Sequence, residues 1–355
     1  MITQSAFLEV NLKNLVFNYR YLSSKNKGQF TGATIKANAY GLGDCKIIKV
    51  LYKTGCKHFF VATLYEAIKL RQKFKYGYLY VLNGINRNNI SSYLTKNKII
   101  PIVNSIQNLE EIKTYKKEIY IGLHIDTGIN RLGIPIEDIT KIKKINNVRI
   151  KLVMSHLASA NDRSNPYNKK QSFIFNKLTN KYFKSNIKSF VASTGIALNK
   201  NLHYDLARPG IALYGGHNNT ILRKKIKPVV KLKAKILQIK NLNKNNFVGY
   251  NQTFFSKKKM VIAIIGIGYA DGFLRKFNNR CYVYYNKFKF RIVGRISMDT
   301  ITIDITKQCK MLKVGMIVDL INYKNDIEKI AKSCDTISNE ILTLISNRVK
   351  RVYIN

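Results

Sequence analysis

The chain has 355 residues, of which 46% are apolar; this length allows roughly two globular domains, and this composition excludes a disordered or fibrous protein. No uncharged apolar run reaches the roughly 18 residues that a transmembrane helix needs. The first residues, MITQSAFLEV, lack the basic and apolar segments of a secretory signal. We therefore predict a cytoplasmic protein without a membrane partner.

The net charge of +43 is the unusual feature of the composition. A strongly basic chain can bind nucleic acid, but this excess is mostly lysine and is spread along the whole chain with abundant Asn, Ile and Tyr. Nucleic-acid modules usually concentrate charge in one patch where arginine is prominent. We interpret the charge as compositional drift and expect no nucleic-acid partner. The alternative predicts tight DNA binding that weakens steeply with salt.

The cysteines are scattered and form no CxxC pair; they are Cys45, Cys56, Cys281, Cys309 and Cys334. An odd number at such spacings predicts reduced thiols, no disulfide framework and no metal site.

Up to about residue 215, short apolar runs alternate with amphipathic stretches. The eight predicted strands are Gly32–Ile35, Phe59–Ala62, Tyr78–Leu82, Ile99–Val103, Ile119–Ile125, Ile150–Ser155, Ser189–Ala192 and Ile211–Tyr214. The main helices predicted around and between them are Leu12–Ser24, Leu64–Lys73, Ser105–Lys117 and Asn168–Lys184. Such alternation predicts parallel strands joined by right-handed crossovers. Eight units in this length fit an α/β fold of the (β/α)8 TIM barrel type, with a doubly wound open sheet as the alternative.

After about residue 225 the pattern changes to short β-rich pieces punctuated by glycine turns. The predicted strands are Val229–Lys240, Val261–Ile265, Cys281–Tyr285, Phe290–Val293, Thr300–Ile305 and Ile317–Leu320, followed by helices Ile327–Ser333 and Glu340–Val349. This pattern predicts a separate, mainly antiparallel β domain. We place the boundary within Gly215–Pro228, which gives a barrel over residues 1–225 and a β domain over residues 226–355.

Lys36 follows the first predicted strand, where barrel enzymes carry their reactive groups. Burial among apolar neighbours lowers the pKa of a lysine, and the free amine can then bond to an aldehyde cofactor. A single lysine at a strand end has an ordinary alternative as a surface group whose stem lies on apolar atoms.

Other polar residues follow later strands and strengthen the case for a site. They are Arg131 after the fifth strand, His156 after the sixth, Ser193 after the seventh, and Arg208, Gly210 and Ile211 at the eighth. Arginine can clamp a carboxylate through its planar fork. The loops after strands 7 and 8 commonly bind phosphate in this fold. Each residue alone also has an ordinary explanation, as a salt bridge, a core histidine or a helix cap.

The segment Ile35–Gly43, IKANAYGLG, resembles the pyridoxal-phosphate-binding signature of bacterial alanine racemases of fold type III. The resemblance extends over nearly the whole chain through Ile125–Gly133, Ser155–Ala160, Arg208–Gly215, Val248–Tyr250, Gly266–Gly272 and Gly294–Asp299. It implies a TIM barrel followed by a β domain, pyridoxal 5′-phosphate as cofactor, and a homodimer with shared active sites. The implied reaction is racemisation of alanine, which supplies D-alanine for peptidoglycan.

The resemblance also implies roles for single residues. Lys36 would hold the cofactor covalently and act as one catalytic base, and Tyr250 from the partner subunit would act as the other. Arg208 would face the ring nitrogen of the cofactor. The phosphate would be held by Tyr40, Ser193, Gly210 and Ile211.

The remaining implied roles concern the substrate side of the site. Arg131 would lie near the cofactor phenolate and the substrate carboxylate. Met298 and Asp299 would close the pocket from the partner subunit, and Tyr269 would narrow its entrance. His156 would support Tyr250 and Arg208 by hydrogen bonding.

Two positions depart from the family pattern. Many members have a lysine seven positions before the equivalent of Arg131, where a carbamate orients that arginine; this chain has His124, which cannot carry one. Near the C-terminus, Asn347 stands where some members have a phosphate-binding tyrosine. Neither departure affects the two proposed bases.

Two other functions remain open at this stage. A racemase of the same fold can act on serine or on a larger or basic amino acid, because a few side chains set the size of the pocket. A cofactor-binding carrier without catalysis is the second, although such single-barrel proteins lack the β domain.

Overall fold

The computed structural model describes residues 4–85, 91–115, 117–142, 146–217, 220–278 and 280–355. These form two compact units. One unit comprises Val16–Leu213 and His217–Ile226, and the other comprises Met1–Leu15, Tyr214–Gly216 and Lys227–Asn355. Residues 4–15 therefore lie in the C-terminal unit, whereas the sequence assigns them to the barrel.

The chain begins with strand β1 (Ala6–Asn11) and helix α1 (Leu12–Lys25). The next strands are β2 (Phe30–Thr31), β3 (Ala33–Thr34), β4 (His58–Val61), β5 (Tyr78–Val81), β6 (Ile99–Val103), β7 (Ile119–His124), β8 (Val148–Met154), β9 (Ile187–Ser189) and β10 (Leu206–Ala207). The accompanying helices are α2 (Lys36–Tyr40, a single turn with left-handed residues), α3 (Asp44–Lys53), α4 (Leu64–Lys73), α5 (Ser91–Lys96), α6 (Ile106–Lys113), α7 (Tyr167–Tyr182) and α8 (Thr220–Arg223).

The parallel strands of this unit close into a ring. Strands β3 to β9 pair in chain order, each parallel to the next. Strand β10 pairs in parallel with β2, and the amide of Asp205 donates to Lys188 O of β9 at 3.1 Å. Strands β2 and β3 are one strand interrupted at Gly32, where a Cβ atom would lie 2.8 Å from His58 O. The prediction of a (β/α)8 barrel is confirmed.

The interior of the barrel is filled by apolar side chains. Its core cluster contains Phe60, Tyr80, Ile100, Ile102, Leu152, Met154 and Leu206. Because helices cover the outside and side chains fill the inside, the strands read as continuous apolar runs rather than as alternating ones. The reactive groups therefore lie at the strand ends and not within the barrel.

The predicted eighth strand is wrong. Ile211–Tyr214 forms a 3-10 helix, and the strand that closes the ring is Leu206–Ala207, five residues earlier. A run of four apolar residues fits a buried helical turn as well as a strand, so the pattern alone does not distinguish them. The seventh strand is also shifted, to Ile187–Ser189.

The helix predicted over Leu64–Lys73 is found with these ends, and the other predicted helices of this unit have changed ends. The helix predicted over Ser105–Lys117 is Ile106–Lys113, and residue 116 lies outside the described residues. The helix predicted over Asn168–Lys184 is Tyr167–Tyr182. Residues 218–219 of the predicted linker also lie outside the described residues.

The C-terminal unit is a mainly antiparallel sheet domain, as predicted. Its strands are β1, β11 (Val230–Leu242), β12 (Phe247–Val248), β13 (Phe254–Phe255), β14 (Met260–Ile265), β15 (Tyr282–Tyr285), β16 (Phe288–Arg291), β17 (Ile301–Asp304), β18 (Ile317–Ile321) and β19 (Lys350–Ile354). Its helices are α9 (Ile327–Ser333) and α10 (Ser338–Thr343).

Four strands of this unit, β1, β12, β13 and β19, were not predicted from the sequence. Strand β1 pairs antiparallel with β11 and parallel with β19. The last predicted helix, Glu340–Val349, ends at Thr343, and the chain continues into β19. Short terminal strands acquire their identity from their partners, which lie more than 200 residues away along the chain.

Candidate active site

Lys36 begins a strained turn at the carboxyl end of the first barrel strand. Residues Ala37, Asn38, Ala39 and Tyr40 all have positive φ, between 52° and 55°. Each such L-residue costs about 1–2 kcal/mol relative to its right-handed form. The turn is held by the amide of Ala39 donating to Ile35 O at 2.9 Å and that of Gly41 to Ala37 O at 2.8 Å. It therefore depends on its surroundings, as strained segments at functional sites do.

Glu66 connects this turn to the neighbouring strand. Glu66 is not among the site residues predicted from the sequence. Its Oε1 accepts from the amide of Ala37 at 2.7 Å, and its Oε2 accepts from the amides of Ala62 at 2.7 Å and Thr63 at 3.3 Å. Thr63 and Glu66 also form a capping box at the start of α4. The pattern T-x-x-E was the available signal for the cap.

Arg131 lies in a loop that is organised by one carboxylate. Oδ1 of Asp126 accepts from the amides of Gly128 at 2.8 Å, Ile129 at 2.9 Å and Asn130 at 3.2 Å. Arg131 itself is exposed, and no described residue bonds its guanidinium. The loop is thus ordered while its cation remains available to a ligand.

Arg208 is buried, with 4% of its surface exposed. Its guanidinium donates to Ser155 O at 2.7 Å and to Ser189 Oγ, and it lies 5.9 Å from the centre of the Phe60 ring. Burial lowers the pKa of Arg208 to about 9, so the group stays charged at neutral pH. No described carboxylate forms an ion pair with it.

Two histidines beside these cations are neutral. Burial, and then the charges of Arg208 and Arg131, lower the pKa of His156 to about 3. Burial, and then Arg208, lower the pKa of His124 to about 4. His156 does not hydrogen-bond Arg208, because the described partners of that guanidinium are Ser155 and Ser189. The hydrogen bond expected from the sequence is therefore not formed here.

The partners of His124 determine which of its ring nitrogens carries the proton. The side-chain amide of Asn104 donates to Leu82 O at 2.9 Å and to Ile102 O at 3.1 Å, so its Oδ1 is the acceptor that lies 2.9 Å from His124 Nδ1. Nδ1 therefore carries the proton, and Nε2 is a buried acceptor that no described residue bonds.

The predicted phosphate-binding residues converge. Ser193 Oγ accepts from the amides of Gly210 at 2.9 Å and Ala212 at 3.2 Å, which leaves its O–H free to donate. A Cβ atom on Gly210 would collide with the hydroxyl of Tyr40, so that hydroxyl lies against the same turn. Ile211 begins a 3-10 helix, and its amide has no partner within that helix. Hydroxyls and an open helix terminus are the donors that a phosphate needs.

Lys36 lies half-buried among these groups. Burial, and then the charge of Arg131, lower the pKa of its amine, while Glu66 raises it. Among the described residues, no salt bridge involves Lys36, Arg131 or Arg208. A nucleophilic amine, surplus positive charge and phosphate-type donors fit an anionic aldehyde such as pyridoxal phosphate.

The other predicted residues lie in the C-terminal unit and are exposed. Tyr250 is 69% exposed and Met298 is 52% exposed. The amides of Tyr269 and Ala270 donate to Ser297 O and Met298 O at 3.1 and 3.0 Å, so these two turns lie together.

Asp299 is held by Arg348. Its Oδ1 accepts from Nη2 of Arg348 at 2.8 Å, and Arg348 Nε lies 3.3 Å from Asp271 Oδ1. Asn347, beside this pair, is exposed. The structure thus groups Asp299 with the turn that carries Tyr269, through Asp271.

The described residues include neither a membrane-spanning helix nor a metal-binding cluster. No helix among them is long and apolar enough to cross a membrane. No group of three or more His, Cys, Asp or Glu side chains in the same ranges is arranged to hold a metal ion.

Comparisons with known proteins cover both units. The family model for the alanine racemase N-terminal domain matches residues 10–218, and the model for the alanine racemase C-terminal domain matches residues 229–353. An alanine racemase of Rickettsia akari is 37% identical over 357 residues, covering 98% of each chain. One of Brucella abortus is 34% identical, covering 99% of this chain and 94% of the relative.

Solved structures of alanine racemases superpose on this chain over nearly its whole length. The alanine racemase of Bartonella henselae, described with covalently bound pyridoxal phosphate, superposes with a TM-score of 0.92 at 35% identity and 99% coverage of both chains. The alanine racemase of Clostridium difficile 630 superposes with a TM-score of 0.92 at 30% identity, covering 100% of this chain and 97% of the other.

Proposed function

This chain belongs to the alanine racemase family, and from that premise we propose that it interconverts L-alanine and D-alanine with pyridoxal 5′-phosphate as cofactor. The observation that carries the proposal is the grouping of a half-buried lysine, two arginines without a carboxylate partner among the described residues, and phosphate-type donors at the strand ends of the barrel. The order of motifs through both units supports the same conclusion.

The cofactor would be held by residues of the barrel. Lys36 would hold its aldehyde carbon covalently, with release of water, and Tyr40, Ser193, Gly210 and Ile211 would hold its phosphate. When bound, the cofactor withdraws electrons from the α-carbon of an amino acid and so makes the α-proton acidic.

Arg208 would face the ring nitrogen of the cofactor. Ser155 and Ser189 fix its guanidinium. A permanently charged group at that place disfavours protonation of the ring nitrogen. Arg208 thus limits how strongly electrons are withdrawn.

Racemisation requires two bases, because the proton leaves one face of the α-carbon and another proton arrives on the opposite face. Lys36 acts on one face and Tyr250 of the partner subunit on the other. Arg131 holds the substrate carboxylate, and the neutral His156 supports Tyr250. Tyr269, Met298 and Asp299 border the substrate from the partner subunit.

A homodimer follows if each site uses Tyr250 of the partner. The exposure of Tyr250 and Met298 supports this arrangement, since large side chains of a functional motif are exposed in one chain. In this proposal the barrel unit binds the cofactor, the C-terminal unit completes the partner's site, and the enzyme supplies D-alanine for peptidoglycan in the cytoplasm.

The purified chain with added cofactor tests the function. We expect L-alanine and D-alanine to interconvert in a chiral separation, faster than serine, lysine or arginine do. Borohydride reduction should fix the cofactor on Lys36, and Lys36→Ala should lose the label and the activity. A parent that shows no racemisation, or a label on another lysine, contradicts the proposal.

A further inference from the structure

The carboxylate of Glu66 spans two segments of the barrel. Its Oε2 accepts from the amide of Thr63 at the start of α4, as the acidic residue of a capping box does. Its Oε1 reaches 29 residues back along the chain to the amide of Ala37 at 2.7 Å. The second bond is not needed for the helix cap.

The bond to Ala37 falls at the first left-handed residue after Lys36. Four consecutive positive φ angles are unfavourable for L-residues, so this turn needs external support. A charged acceptor forms a stronger bond to an amide than a neutral one does. Both ends of the turn carry proposed functional groups, the amine of Lys36 and the hydroxyl of Tyr40.

We propose that Glu66 is a positioning residue that holds the Lys36 turn in its left-handed form and so aims the lysine amine at the cofactor. The inference deepens the proposed function and rests on it. Glu66 contacts neither the substrate nor the reacting atoms in this assignment; it acts through the backbone of Ala37.

The charge of Glu66 acts on the same amine. The charged and titratable groups around Lys36 are Arg131, Glu66 and His156. Arg131 lowers the pKa of the amine and Glu66 raises it. Removing the negative charge therefore lowers this pKa further, and the amine becomes reactive at a lower pH.

The variants separate the bridge from the cap. In Glu66→Gln one oxygen is replaced by an NH2 group, which cannot accept, so either Ala37 or the pair Ala62 and Thr63 loses its partner. Glu66→Asp keeps the charge but is one methylene too short to bridge both sides. Thr63→Ala is the matched control, because it removes the cap hydroxyl and leaves the bond to Ala37.

The experiment measures cofactor binding to Lys36 in protein freed of cofactor, by titration with pyridoxal 5′-phosphate at several pH values followed by borohydride reduction and peptide mapping. For Glu66→Gln we expect apparent affinity at least about tenfold weaker and the pH midpoint of Lys36 labelling shifted downwards. For Glu66→Asp we expect weaker binding with the midpoint close to that of the parent. Thr63→Ala should match the parent in both measurements.

Steady-state kinetics give a second readout. We expect kcat of the fully loaded Glu66→Gln enzyme to fall about tenfold or more while KM for alanine changes little, since the substrate contacts remain. The positioning role is overturned if Glu66→Gln has the cofactor affinity, the pH midpoint of Lys36 labelling and the kcat of the parent. It is also overturned if Thr63→Ala loses as much cofactor affinity and kcat as Glu66→Gln. If the parent itself does not bind the cofactor at Lys36, the proposed function fails instead.

Discussion

Arg208 and His156 illustrate how burial sets charge in this site. Arg208 has no ion-pair partner among the described residues, yet it keeps its charge at neutral pH because burial lowers its pKa only to about 9. Ser155 and Ser189 accept hydrogen bonds from its guanidinium. His156, beside it, loses its charge through burial and through the cations around it. A guanidinium that is charged at neutral pH and a neutral imidazole thus lie side by side. A phenol has an ordinary pKa of about 10, so a tyrosine that acts as a base needs a nearby cation to stabilise its phenolate.

Tyr250→Phe tests the second base. We expect the variant to keep the bound cofactor, because Tyr250 contributes nothing to the barrel that holds it. One enantiomer of alanine should no longer exchange its α-proton, while Lys36 still exchanges that of the other. Exchange of each enantiomer in D2O, followed by NMR, measures this. Racemisation at the parent rate contradicts the two-base assignment.

His124 shows how a departure from the family pattern is accommodated at one residue. It carries its proton on Nδ1, toward Asn104, and presents Nε2 as a buried acceptor. An arginine is a fitting donor for such an acceptor. His124 therefore presents this acceptor at the position where the resemblance predicts a lysine, and no described residue donates to it.

At the scale of elements, helix α4 depends on a buried arginine. Arg71 is 1% exposed and donates to Asn97 O at 2.6 Å, Tyr76 O at 2.7 Å and Phe74 O at 3.2 Å. Its other nitrogen donates to Gly77 O and Lys98 O. One side chain thus satisfies the carbonyls at the end of α4 and before β5 and β6.

Arg71→Lys tests this role. A lysine offers three donors at one point and cannot reproduce the planar fork, so several buried carbonyls lose their partners. We expect the free energy of unfolding to fall by about 2–4 kcal/mol, with activity per folded enzyme unchanged, as measured by urea denaturation. Arg20→Lys, at an exposed position of α1, is the control and should change it by less than about 0.5 kcal/mol. Equal effects of the two variants would contradict the assignment.

Across the molecule, several lysines lie over aromatic rings rather than beside carboxylates. Lys57 lies 3.6 Å from the centre of the Tyr52 ring, Lys289 lies 3.5 Å from that of Tyr282, and Lys151 lies 4.1 Å from that of Tyr78. A ring face attracts a cation through its quadrupole. The abundant tyrosines therefore accommodate part of the lysine excess on the surface of the fold.

Buried histidines make the fold sensitive to acid. Burial lowers the pKa of His58 and of His124 to about 4, against about 6.5 in the unfolded chain. Their contribution to stability is complete above pH 6.5 and is lost as the pH falls through 4, by up to about 3 kcal/mol each. Urea unfolding of the loaded enzyme at pH 7.5 and pH 5 should show this loss. The free energy of unfolding of His124→Asn should fall less between pH 7.5 and pH 5 than that of the parent. An equal fall in both proteins would contradict the role of His124 in the acid sensitivity.

Subunit mixing tests the shared site of the proposed dimer. Lys36→Ala and Tyr250→Phe chains, each inactive alone, are co-expressed with different tags. A mixed dimer then contains one site with both native residues, and random pairing should restore about a quarter of the parent activity. Inactive mixed dimers, purified through both tags, would show that each site takes both bases from one chain.

Apolar periodicity and short motifs are local properties of the chain, so the barrel, the β domain and the candidate site residues could be predicted from them. Lys36, Ser193 and Arg208 could be identified in this way. The fold was needed to show that Leu206–Ala207 and not Ile211–Tyr214 closes the ring, and that β1 pairs with β11 and β19. It also decided the bond from Glu66 to Ala37 and the partners of Arg208. These contacts join residues that are 19 to more than 200 positions apart along the chain. They form only when the barrel closes and distant strands pair, so no local sequence pattern encodes them.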